Sequence, residues 1–121
     1  MHAVTRLPRR AWLLVAALPL ARPAQAHAIL MQSDPAHAGQ VPPGPRTLIL
    51  RFNSRLDRLR SRLTLTRPDK SQTVLPLLDG PDDQLAAAVT LAPGRHTLRW
   101  QVLAIDGHIT RGDLPFTVTA G

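Results

Sequence analysis

Residues 47–118 carry a two-residue beat of apolar and polar positions. Over residues 47–52, Leu48, Leu50 and Phe52 share one face. Arg62–Thr66 turns Leu63 and Leu65 one way and Arg62, Thr64 and Thr66 the other. Gln84–Leu91 aligns Leu85, Ala87, Val89 and Leu91. Residues 96–104 align Leu98, Trp100, Val102 and Ala104, and residues 114–118 align Leu114, Phe116 and Val118. A period of two marks half-buried strands. Turn formers stand between them: Pro42-Pro43-Gly44-Pro45, Pro68-Asp69, the run from Asp79 to Asp83, and Pro93-Gly94. The pattern predicts an all-β fold, a sandwich of two antiparallel sheets. One piece breaks the beat. In residues 56–63, Leu56, Leu59 and Leu63 also fit a helical spacing, and the reading is a loop with one short helical turn.

The first 26 residues follow a different logic. Arg6, Arg9 and Arg10 precede a short apolar run at residues 11–20, too short for a bilayer, which takes roughly 20 residues. Ala24-Gln25-Ala26 fits the A-x-A pattern of a signal-peptidase site. Residues 1–26 are therefore expected to be a signal peptide cleaved after Ala26, with residues 27–121 forming one small exported domain. Arg9-Arg10 loosely matches a twin-arginine leader, so either export route fits. Cleavage also changes the charge. The chain carries +7, but four of its 15 Lys and Arg lie in the leader, leaving 11 against eight Asp. A net charge of +3 does not indicate nucleic acid. There is no cysteine, which excludes disulfides and thiolate metal chemistry, blue-copper ligation included.

Cleavage after Ala26 would make His27 the N-terminus, with an α-amine and an imidazole placed to chelate one metal ion. Downstream, Asp106-Gly107-His108 follows the Trp100 strand. Asp and His two apart project to one side of an extended segment, and Gly107 lets the backbone bend so that both reach one point. A D-x-H alone says little. Joined to an N-terminal His, it offers three nitrogens and one carboxylate oxygen, a set that suits Cu(II). Of the remaining histidines, His37 is expected to be exposed and His96 to be a hydrogen-bonded, partly buried imidazole on the Trp100 face. Met31 and Trp100 are expected in the core. Arg51, Arg55, Arg58, Arg60 and Arg62 read as a solvated face that protects a sheet edge.

Several stretches together resemble one family. They are His27-Ala28-Ile29-Leu30, Ser33-Asp34-Pro35-Ala36, Leu48-x-Leu50-x-Phe52, Gly94-x-x-Thr97-x-Arg99-Trp100-x-Val102 and Ala104-x-Asp106-Gly107-His108-x-x-x-Gly112. This set is similar to CopC, the periplasmic copper-binding proteins. The resemblance implies an immunoglobulin-like β-sandwich with Greek-key topology, periplasmic and monomeric. It implies Cu(II) held by the amine and imidazole of His27, by Asp106 and by His108. It also implies a role in copper resistance or homeostasis rather than catalysis, by sequestering copper or delivering it to a CopD-like inner-membrane transporter. Two departures stand out. Ser54 occupies a position where some members carry an acidic residue near the copper. The region of residues 67–83 contains no Met, so no Met-rich Cu(I) site is expected.

Two rival readings start from the same residues. A small copper-dependent monooxygenase would share the N-terminal histidine chelate. However, a mature chain with one Trp and no Tyr offers little to stack on sugars, and an Asp ligand would take the position oxygen needs. A metal-free interaction module is the other, which stoichiometric copper binding would exclude.

Overall fold

The computed structural model describes residues 27–121; the expected leader and its cleavage site at Ala26 lie outside them. Eight strands follow in order: β1 (Leu30–Asp34), β2 (Gly39–Val41), β3 (Gly44–Phe52), β4 (Arg62–Thr66), β5 (Gln72–Leu75), β6 (Gln84–Leu91), β7 (Gly94–Leu103) and β8 (Ile109–Val118). They form two facing sheets of order β1-β3-β6 and β2-β8-β7-β4-β5. The sequential strands β3 and β4, β5 and β6, and β6 and β7 each lie in different sheets, the immunoglobulin-like crossing that the family resemblance implies. One pair departs from the antiparallel expectation, since β2 runs parallel to β8. Only Pro42-Pro43 separates β2 from β3. The chain therefore keeps its direction while switching sheets, as strands do at a sandwich corner.

The core holds the positions that the alternation turned inward. Leu48, Leu50 and Phe52 of β3 and Leu85, Ala87 and Leu91 of β6 face Leu63 and Leu65 of β4, Leu98 and Val102 of β7, and Leu114, Phe116 and Val118 of β8. Each large side chain so buried contributes about 1.5–3 kcal/mol. Val89 and Trp100 pack at the margin. Trp100 meets Phe52 edge-on, with ring centroids 5.2 Å apart, and lies across Gly112. A Cβ on Gly112 would stand 2.4 Å from the indole, so only glycine leaves room for it.

The structure corrects several sequence expectations. β8 begins at Ile109, five residues before the predicted start, because its ladder with β7 continues to Leu103↔Ile109 through Gly112, where no apolar residue keeps the beat. β1, β2 and β5 are short edge strands that showed no alternation. Met31 is not in the core. The β1–β3 register shifts between Leu30 and Gln32, and this bulge leaves Met31 61 % exposed. The expected helical turn is a 3₁₀ turn, Arg58–Arg60; Leu59 points wholly to solvent, while Leu56 is buried and bridges to Ala104. The arginines do not form one face: Arg58 reaches the carbonyls of Leu78 and Gly80, and Arg60 lies 3.5 Å from Asp57. Among the described residues no helix is long and apolar enough to cross a membrane.

Candidate metal centre

The β7–β8 turn is built to present Asp106 and His108. Ala104 and His108 close it, with the Ala104 amide donating to the His108 carbonyl at 2.8 Å and the Gly107 amide donating to Ala104 at 2.8 Å. Gly107 takes φ +95°, a conformation that a side chain disfavours. A second layer braces the turn. The Ile105 amide donates to the Arg55 carbonyl at 3.0 Å and Asp57 to Leu103 at 2.8 Å. Ser61 Oγ accepts from the Leu103 amide at 3.1 Å and donates to the Asp57 carbonyl at 2.7 Å.

Within the turn, Asp106 Oδ1 accepts the His108 amide at 3.1 Å and lies 3.3 Å from His108 Nδ1. The amide hydrogen bond, with the His108 side chain adding to it, holds the Asp106 carboxyl below the ordinary carboxylate range. Asp106 therefore stays an anion at any pH where an imidazole is neutral.

His27 arrives from the other end of the chain. Its ring centroid lies 5.1 Å from that of His108, with the planes tilted by 44°. Two contacts that sequence reasoning missed put it there. Thr110 Oγ1 of β8 donates to the Ala28 carbonyl at 3.2 Å. Asn53, just after β3, accepts the Ile29 amide on Oδ1 at 2.7 Å and returns its own amide to the Ile29 carbonyl at 3.0 Å. With Ala28 buried between them, the residues after His27 are fastened to both sheets.

All three sequence-predicted residues thus meet at one end of the sandwich, although not as a finished cage. His108 contacts both His27 and Asp106, yet among the described residues no three His, Cys, Asp or Glu side chains already converge on one point. The three side chains are exposed, so each has room to change rotamer. Ser54 is half-buried, and its hydroxyl donates to the Arg55 carbonyl at 3.5 Å. Ile29, Ile105 and Ile109, which adjoin the three residues in sequence, are 50–60 % exposed and give this end an apolar rim.

Comparison with known proteins places this arrangement. The CopC domain pattern matches residues 30–119. The chain belongs to the CopC family. Protein YobA of Escherichia coli K12 is 34% identical over 98 residues, covering 77% of this chain and 79% of YobA. The solved structure of CopC from Methylosinus trichosporium OB3b is 25% identical, with a TM-score of 0.70 over 78% of this chain and 95% of that one. PcoC, a methionine-rich copper resistance protein from Escherichia coli, shares the fold, with 22% identity and a TM-score of 0.60 over 78% of this chain and all of PcoC. Unlike the methionine-rich PcoC, this CopC-family chain has only Met1 and Met31.

Proposed function

We propose that this protein is an exported, periplasmic copper resistance protein that binds Cu(II) and passes it on, without catalysing a reaction. Cleavage after Ala26 would free the His27 amine, and the His27 imidazole, Asp106 and His108 would complete the set. The observation that carries this reading is the meeting of His27, Asp106 and His108 at one pole although 77 residues separate His27 from Ile105, where the turn begins. The donors fit the metal, since amine, imidazole and carboxylate suit Cu(II), whereas Cu(I) prefers thiolate and thioether. The only thioether among the described residues, Met31, is 61 % exposed and lines a hollow with Arg51, Asn53, Ser54, Arg55 and Asp83.

The residues divide the work. His27 chelates through two nitrogens, Asp106 supplies charge, and His108 joins the two halves. Exposure of the set and its isoleucine rim suits handover to a partner docked on that pole, a CopD-like membrane transporter being the expected recipient. The test compares processed protein starting at His27 with protein starting at Ala26, titrated against a Cu(II) chelator of known strength. The extra residue keeps every ligand side chain but turns the His27 amine into an amide. Affinity is expected to fall by orders of magnitude, and equal affinities would overturn the assignment.

A further inference from the structure

The five-stranded sheet has a second pole. The β7–β8 ladder runs from Leu103↔Ile109, beside the Asp106 turn, to Gly94↔Val118, about 30 Å away at a rise of roughly 3.3 Å per residue. There a cleft of about 550 Å³ opens among the β4–β5 turn, the start of β7 and the end of β8.

His96 forms part of its wall and is the only buried titratable side chain among the described residues, at 4 % exposure. Its ring stacks on Phe116, with centroids 5.3 Å apart and planes within 11°. Nδ1 lies 3.1 Å from the Gly94 carbonyl. A carbonyl can only accept, so Nδ1 carries a proton and Nε2 is left for something else. Nε2 has no hydrogen-bond partner among the described residues. The one sealed side-chain polar atom without a partner there is Arg46 Nε, so Nε2 keeps an opening, and the cleft is the surface that His96 lines.

An imidazole fixed through Nδ1–H to a carbonyl is also how a metal ligand is oriented. The surrounding charges exclude that role here. Arg67 and Lys70 from the β4–β5 turn and Arg95 from β7 line the cleft, and no second ligand stands beside Nε2. From β8 the lining residues Pro115, Phe116 and Thr117 are uncharged, as is Ala38, whose neighbour His37 is exposed. Asp69, the acidic residue of the turn, is occupied by the amide and hydroxyl of Ser71 at 2.9 and 2.6 Å. Asp113 is paired with Arg99 at 3.0 Å. Arg67 donates one N–H to Thr73, while Lys70 and Arg95 have no carboxylate within reach among the described residues. Lys70 also sits at φ +74°, where glycine is the unstrained choice, yet the chain places a cation there.

We propose that this cleft binds a phosphate-class oxyanion, with the Nε2–H of protonated His96 donating to one oxygen and Lys70, Arg95 and Arg67 balancing its charge. Neutral His96 turns a lone pair toward the cleft and protonated His96 turns a donor. Anion binding and proton uptake at His96 are therefore linked, and affinity rises as pH falls. The oxyanion can be free phosphate or the headgroup of an anionic lipid, and one set of proteins separates the two.

The copper-free protein is titrated with inorganic phosphate at pH 6 while the His96 imidazole nitrogens are followed by NMR. Sulfate, whose charge is constant, supplies the pH series. Saturable binding in the range of about 1 mM or tighter is expected, with the Nε2 resonance moving. Lys70→Gly relieves the backbone and removes a cation, so it keeps the fold and is expected to weaken binding about tenfold, as is Arg95→Ala. Sedimentation with phosphatidylglycerol vesicles, against phosphatidylcholine alone, assigns the lipid source if binding occurs and is lost in Lys70→Gly. Phosphate binding without vesicle binding assigns the free anion. No saturation, unchanged affinity in both variants, or sulfate affinity that does not rise at low pH would overturn the proposal.

Discussion

At the scale of single residues, the proposed copper ligands differ in when they are ready. The α-amine, near 7.7–8.0 in unperturbed form, and imidazoles, near 6.5, must lose protons before they bind a metal. Asp106 behaves otherwise. Its carboxyl is held below the ordinary value by the His108 amide. Its charge is present throughout the neutral range and is lost only as pH falls through that lowered value. Between about pH 8 and 5 the nitrogens alone therefore set the pH dependence. Apparent Cu(II) affinity is expected to fall steadily across that window, measured by chelator competition at fixed ionic strength. A flat profile would assign the metal to carboxylates.

At the scale of elements, the site depends on a strap, residues 27–29, tied across the end of both sheets by Asn53 and Thr110. Asn53→Ala removes the acceptor for the Ile29 amide and leaves the strand β3 intact. A hydrogen bond of this kind contributes about 0.5–1.5 kcal/mol, so Cu(II) affinity is expected to drop roughly 2- to 13-fold with little change in the circular dichroism spectrum. The nearness of His27 and His108, and of His108 and Asp106, was legible in the sequence because an A-x-A before a histidine and a D-G-H after a strand are local patterns. Asn53 and Thr110 were not, since one polar residue at a strand end acquires meaning only from its register. The same distinction explains the strands. β4 and β6 could be read to the residue because one face is buried, whereas β1, β2 and β5 are short and bury at most one residue each, too little for alternation to develop. Met31 was misread because nothing in its neighbours announces a bulge.

At the scale of the whole molecule, the sandwich holds two chemistries apart. One pole gathers nitrogen and carboxylate donors under an isoleucine rim, and the other gathers cations around a buried imidazole. The second pole was invisible in the sequence because Arg67 and Lys70 come from the β4–β5 turn and Arg95 and His96 from the start of β7, which the β4–β7 pairing brings together.

The strap has a further consequence, which concerns heat. Its hydrogen bond to Asn53 is solvent-exposed, and after the proposed cleavage it would lie at the chain's N-terminus, where fraying starts. A metal shared by His27 and His108 would rivet that frayed end to the last hairpin, closing most of the domain into a ring. Binding only to the folded form at 100 times Kd adds about 2.7 kcal/mol. For a domain of this size that corresponds to a rise of roughly 10–20 °C in Tm. Calorimetry with and without Cu(II) is expected to show it. Amide exchange at Ile29 should slow by up to about 100-fold, the factor that the same stabilisation gives, so that copper acts as the cross-link the missing cysteines do not provide.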